Sequence, residues 1–402
     1  MKANRIILAI AAVLFAACSS FDTMAPGDAM AGGGEKGDYE SPAEPEDPEG
    51  GNGNSNAGVV TAGEWNDLDN WAFWNQLMSG QNEGKFYEYL NYWGMYPGDR
   101  FAVTVVDAAN NPVCGAKVEL FVNGSEQASW TAVSDNQGSA ELWYRPWSSI
   151  DTDEEKTFTA AVNGVKWGEP LAPTYNSAEQ VSMNTIIAEQ VATRGSADIA
   201  FIVDATGSMF DEIDFLKDDL LNIIQRASAS TSRELRTAAL FYRDEGDDYV
   251  TKHNDFNSNP EKTLNFIKKQ SAQGGGDYPE AVHTALEKAL QDLSWEEGNH
   301  ARLAFLLLDA PPHYEQNVIS SIKSSIELYA ANGIKIIPIS ASGIDKNTEF
   351  LLRLMAIYTD GTYTFITNHS GVGNDHIIPT VGEYQVEQLN NLIVRLIEQY
   401  TK

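Results

Sequence analysis

Two stretches, "RLAFLLLD" (302–309) and "IKIIPIS" (334–340), are almost uninterrupted runs of apolar residues. A strand with one wet face alternates apolar and polar side chains. A short continuous run belongs to a strand covered on both faces, as in a parallel sheet. The same grammar extends from Asp198 to the end of the chain. The further strand candidates are "DIAFIVD" (198–204), "LRTAALFYRD" (235–244), a short "YVTK" (249–252) and "GTYTFIT" (361–367). Helical patterns lie between them, near 210–228, 260–270, 279–293, 315–331 and 347–358, with a last one near 385–400. In that last segment Val386, Leu389, Ile393, Leu396 and Ile397 form one apolar stripe. Strands alternating with helices predict an α/β fold, a doubly wound and mostly parallel sheet. The short strand follows its neighbour too closely for a crossover, so it reads as an antiparallel edge.

In open sheets of this kind ligands collect beyond the carboxyl ends of the strands. The first strand ends in Asp204, with Thr206 and Ser208 following at steps of two, and "RLAFLLLD" ends in Asp309. Between them, before a helical pattern, stands "GGGDYPEA", with Asp277 after three glycines. Asp204, Thr206, Ser208, Asp277 and Asp309 are all hard oxygen donors without His or Cys among them, which disfavours zinc and copper and suits Mg²⁺, with Mn²⁺ or Ca²⁺ as alternatives. Hydroxyl ligands add no charge, so such an ion would welcome a carboxylate from outside. The bland explanation is a helix N-cap by Ser208 or Asp211, and the short stretch by itself leaves both open.

Other candidates read as structural. Arg243, Asp244, Asp247 and Asp248 in "YRDEGDDY" are charges at a strand turn, and His313 in "APPHY" reads as a helix-start histidine. The sequence carries no His-Glu-x-x-His pattern, Gly-x-Ser-x-Gly elbow or phosphate loop. Ser208 has no credible His partner, and a phosphoester hydrolase would want a second Asp where Thr206 stands. The expected work is binding, not turnover.

The first half of the chain is organised differently. Lys2 and Arg5 precede an apolar run from Ile6 to Ala17, then Cys18, the layout of a secretory signal over 1–17 that is too short to span a bilayer comfortably. Residues 18–62 are rich in Gly, Pro, Glu, Asp and Asn and read as a disordered acidic tether. Residues 63–97 are dense in aromatics, with Trp71, Trp74 and Leu77 at helical spacing, and read as a helical cap on the next domain. From 98 to 168 the period becomes two, with turns at Asn110–Pro112, Asp135–Gly138 and Asn163-Gly164, which predicts a small antiparallel β-sandwich. Cys114 reads as a small buried side chain there, and residues 169–196 as an extended connector. The chain has 57 acidic against 27 basic residues, a net charge of −30, which argues against nucleic acid as a partner.

Three resemblances sharpen these readings. "FIVDATGSM" resembles the first strand and metal-ion-dependent adhesion site (MIDAS) of von Willebrand factor A (vWA) domains. "ALFYRDEGDDY", "QGGGDYPEAVHTALEKAL" and "LSWEEGNHARLAFLLLDAPPH" are similar to a subgroup of that family seen in alpha-kinase-associated and bacterial surface proteins. The resemblance covers about 198–400 and implies that Asp204, Thr206 and Ser208 form the first metal loop, Asp277 the second and Asp309 the third, the last often through water. Thr206 stands where the family most often has Ser, and Asp277 replaces a common Thr, which adds a negative charge. "VVDAANNPVCGAKVEL" and "TAVSDNQGSAEL" resemble bacterial Ig-like and carboxypeptidase-regulatory-like modules. Ala16-Ala17-Cys18 resembles a bacterial lipoprotein signal, with Phe15 where the pattern usually has Leu; it implies lipidation at Cys18. Ser19 then favours the outer membrane, with surface exposure a further step. Together these imply a lipid-anchored envelope protein whose metal site binds a protein ligand offering a carboxylate. The alternative is an assembly or scaffolding lipoprotein in which the metal is only structural.

Overall fold

The computed structural model describes residues 60–80, 86–149, 155–174, 176–177, 180–181, 183–370 and 376–402. The signal, Cys18 and nearly all of the tether lie outside them. In chain order the elements are β1 (Thr61–Trp65), α1 (Trp71–Met78), α2 (Glu88–Trp93), β2 (Asp99–Val106), β3 (Lys117–Val122), β4 (Trp130–Val133), β5 (Ser139–Tyr144), β6 (Phe158–Val162), β7 (Val165–Lys166), β8 (Asn176–Ser177), β9 (Gln180–Val181) and β10 (Asn184–Ile187). Then come β11 (Arg194–Asp204), α3 (Phe210–Ser230), β12 (Glu234–Tyr242), β13 (Thr251–Asn257), α4 (Pro260–Ile267), α5 (Val282–Gln291), β14 (Asn299–Leu308), α6 (Gln316–Ala331), β15 (Lys335–Ser340), α7 (Lys346–Tyr358), β16 (Tyr363–Ile366), β17 (Glu387–Gln388) and α8 (Leu389–Thr401).

The main sheet has eight strands in the order β13-β12-β11-β14-β15-β16-β1-β17. The strands β12, β11, β14, β15 and β16 are parallel, and β13 is antiparallel to β12. Both faces are covered, so alternate residues of β11 serve two cores. Ile199, Phe201 and Val203 pack with α3, α4 and α8, while Ala200 and Ile202 pack on the side of α5, α6 and α7. This is the α/β arrangement the apolar runs require. β11 lies between β12 and β14, so the chain winds off in both directions from it, and the carboxyl ends of β11 and β14 frame the crevice.

One strand comes from outside the region where the alternation begins. β1 pairs antiparallel with both β16 and β17, in the register Trp65↔Tyr363 and Thr61↔Gln388. The sheet therefore does not respect a boundary at residue 197. The aromatic segment continues from β1 and covers α7, which is buried throughout Thr348–Tyr358. Arg353 of α7 is wholly buried and forms a two-point ion pair with Asp67, Nε to Oδ2 at 2.8 Å and Nη2 to Oδ1 at 2.5 Å. Its guanidinium also lies over the rings of Trp74 and Phe86.

Residues 99–187 form two small sheets, β10-β2-β5 and β4-β3-β6-β7. Phe101 of the first meets Phe158 of the second with ring centroids 4.6 Å apart. Asn163 and Gly164, both at positive φ, make the tight β6–β7 turn. β10 runs parallel to β2, so the arrangement is mixed where a purely antiparallel one was expected. The sheets dock onto the larger body through Trp130, Trp143 and Trp147, which surround Tyr358 at the end of α7. Buried ion pairs reinforce the junctions: Arg100 holds Glu141 and the Leu68 carbonyl, and Lys335 holds Asp360 and Asp135. Cys114 is half-buried, with its thiol 3.4 Å from the His300 carbonyl oxygen, and burial pushes that thiol up to about 11. Among the described residues no helix is long and apolar enough to cross a membrane.

Candidate functional site

Asp204 is the last residue of β11, fully buried, and fixed by its pairing with Tyr242 on β12. Its Oδ1 accepts two hydrogen bonds from Thr206, one from the backbone N–H (2.9 Å) and one from the hydroxyl (2.7 Å). The Thr206 hydroxyl is 3.3 Å from that of Ser208, which is exposed at the mouth. Neither Thr206, before the short 3-10 turn Gly207–Met209, nor Met209, before α3, makes a side-chain cap bond. Thr206 is therefore spent on the carboxylate and not on capping.

The 205–208 loop is stitched to its neighbours. Ala205 N–H donates to the Tyr242 carbonyl, Gln273 N–H to that of Ala205, and Gly207 N–H to that of Gly274. Arg243 braces the same loop by donating to the carbonyls of Ala205 and Ser271. The glycine run is required here. Gly274 and Gly275 both have positive φ, and a Cβ on Gly275 would stand 2.9 Å from Glu280 Oε1 and 3.2 Å from Thr206 Cβ.

This turn brings Glu280, not Asp277, to the cup. Asp277 remains exposed on the loop, and among the described residues it has no hydrogen bond or ion pair to Asp204, Thr206, Ser208 or Asp309. Glu280 is buried, 3% exposed, and its backbone N–H donates to the Pro311 carbonyl beyond Asp309. The sequence alone favours Asp277, the carboxylate beside the glycines, and gives Glu280 no comparable mark. The signal that finds it is Pro279, which stiffens the chain just before the residue that turns inward. Asp309, immediately after β14, is also buried.

The electrostatics are those of a crowd of anions. Asp204 Oδ2, Asp309 Oδ1, Glu280 Oε2 and Glu212 Oε2 are buried without a hydrogen-bond partner in the structure. Burial, then the charge of Asp309, pushes Asp204 up to about 7. Burial likewise raises Asp309 to about 6, with the nearby Ser208 hydroxyl opposing the rise and Glu212 adding to it. Glu280 is pushed up to about 9 by burial, then by Asp204, Asp244, Asp309 and Asp247. The Tyr242 phenol faces Asp204 and is itself raised well above its ordinary range by burial and that carboxylate.

Asp244 accepts a 2.7 Å bond from His313, and its N–H donates to Asp247, whose Oδ2 also accepts from Gly275 N–H. His313 thus holds the loop after Asp309 against the β12–β13 turn. Buried carboxylate oxygens without donors, beside hydroxyls, fit a hard divalent cation. Among the described residues no three His, Cys, Asp or Glu side chains stand at metal-ligating spacing. A cation here would therefore count hydroxyls or water among its ligands.

The comparisons with known proteins bear on the fold that carries these residues. Residues 198–371 match the von Willebrand factor A domain family. A stretch of 120 residues, 30% of this chain, is 32% identical to the putative ariadne-like RING finger protein R811 of Acanthamoeba polyphaga mimivirus. The matched stretch spans only 12% of that relative. The strand order, the hydroxyl-bearing loop after β11 and the family match converge on one conclusion: residues 198–371 are a von Willebrand factor A domain.

Proposed function

We propose that this vWA domain captures a protein partner through a divalent cation, Mg²⁺ or Mn²⁺ foremost, held in the cup at the ends of β11 and β14. Asp204, Thr206, Ser208 and Asp309 hold the ion, with Glu280 in the role first given to Asp277. The ion supplies an electrophilic point to which a partner's carboxylate bonds. The rest of the work belongs to the chain: β11 fixes Asp204, Thr206 orients it, and the stitched loops keep the mouth at Ser208 open. The chain is a lipoprotein anchored through Cys18 to the outer membrane, and the acidic tether sets its reach.

The observation that carries the metal reading is the pair of buried, partnerless oxygens on Asp204 and Asp309 beside two hydroxyls. It is tested by calorimetric titration of the protein with Mg²⁺, Mn²⁺ and Ca²⁺. One site per chain is expected, and Asp204→Ala is expected to abolish it while the protein stays folded. A protein that gains neither heat nor thermal stability from any of these ions overturns the reading. The extra carboxylate of Glu280 favours a second reading, a cation neutralised from within that only stabilises the fold. Under that reading EDTA lowers Tm but leaves partner capture intact; under ours both are lost.

A further inference from the structure

The mouth of the cup carries a rim that the metal does not explain. Phe210 is 61% exposed, Tyr314 52%, Tyr278 46% and Tyr92 38%. Phe210 lies two residues beyond Ser208, Tyr278 two before Glu280, and Tyr314 five beyond Asp309. Tyr92 comes from α2, outside the family-matched residues, and stacks on Tyr314 with ring centroids 3.9 Å apart. The Tyr314 hydroxyl donates to the Tyr92 carbonyl, and Tyr278 donates to that of Gly343. These bonds hold large aromatic rings at the surface, where their burial would be worth more to the fold.

The charge around the rings is one-sided. Glu245, Asp248 and Asp277 are exposed, and the buried Asp204, Asp309 and Glu280 lie below. The basic groups nearby are already engaged: Arg243 with backbone carbonyls, His313 with Asp244, His283 facing Glu245, and Lys252 over the Tyr249 ring. A purely acidic segment would meet repulsion everywhere except at the ion itself.

We propose that this mouth is a docking surface for a basic protein segment, in which one carboxylate reaches the cation and flanking Lys or Arg side chains lie over the aromatic rim. The inference rests on the metal reading above and adds the partner's chemistry. Exposed aromatic faces attract cations, Arg most often, and the surrounding carboxylates strengthen that preference at low salt. Electrostatic complementarity of this kind sets partner choice more than raw affinity.

The test uses the full-length protein on an array of synthetic peptides. Each peptide has a central Asp, with flanks graded from Lys/Arg-rich to Glu-rich, and a matched series carries Asn at the centre. In Mg²⁺ the signal is expected to rise with basic flanks, to fall as salt is added, and to vanish with EDTA or central Asn. Phe210→Ser combined with Tyr278→Ser, both at exposed positions, is expected to weaken the basic peptides about fivefold or more, with Mg²⁺ affinity unchanged. If the protein binds no Mg²⁺, the metal reading fails first. If it binds Mg²⁺ but neutral or acidic flanks serve as well as basic ones, or the double substitution changes nothing, this inference fails alone. Basic peptides that bind equally with central Asn overturn it too, because the carboxylate then has no part.

Discussion

Asp309, Asp204 and Glu280, raised to about 6, 7 and 9, share one small volume and titrate as a set. All three lie above their unfolded values, so the metal-free fold holds protons that unfolding releases. Stability from these groups is full near about pH 4 and is lost as the pH climbs through their folded values. Under the proposed metal reading, a divalent cation would replace those protons. The urea midpoint in excess Mg²⁺ is therefore expected to exceed that in EDTA clearly at pH 8, and the gap is expected to shrink at pH 5, where protons compete. A gap of the same size at both values contradicts this account. At the same scale, Asp204, Thr206, Ser208 and Asp309 were legible because strand ends expose the last residue and the turn after it. Glu280 was not, because only the positive-φ glycines and the bond to Pro311 decide which carboxylate turns inward.

Helix α7 shows what local pattern leaves out. Its sequence reads as an ordinary helix, yet it is buried on every side, with Arg353 and Glu349 inside. The partner that makes this tolerable is Asp67, 286 residues away along the chain. Arg353→Met removes the only bidentate donor to Asp67 among the described residues and leaves a buried carboxylate, which costs about 3–5 kcal/mol. Chemical denaturation measures it directly. Replacing Asp67 by Asn together with Arg353→Met is expected to recover part of the loss, because the stranded charge is gone. The parallel strands themselves were plain in the sequence, since continuous apolar runs leave few other folds. β1 was not, because five residues of mixed character, "TAGEW", carry no period that marks them as a strand of a distant sheet.

Among the described residues, the aromatic segment, the two small sheets and the vWA domain form one packed body, joined by Trp130, Trp143 and Trp147 around Tyr358, by the bond of Arg100 to the Leu68 carbonyl, and by the buried ion pairs of Lys335 with Asp135 and of Arg353 with Asp67. A fragment from residue 197 onward loses β1 and the cover of α7. It is expected to aggregate or to melt broadly, whereas a fragment from residue 60 melts in one sharp transition. Calorimetry on the two fragments checks this, and equal sharp melting contradicts it. Segment composition marked where character changes along the chain, but not that residues 61–65 return to complete a sheet whose other strands begin some 130 residues later.

Because β1 runs antiparallel to β16, the polypeptide joins the sheet at the same end as the cup, held there by the bonds of Leu389 N–H to the Val60 carbonyl and of Thr367 N–H to that of Thr61. A pull applied at residue 60 and opposed at the cup would meet those bonds in succession, not all at once, so β1 would peel from its edge before the central strands carry load.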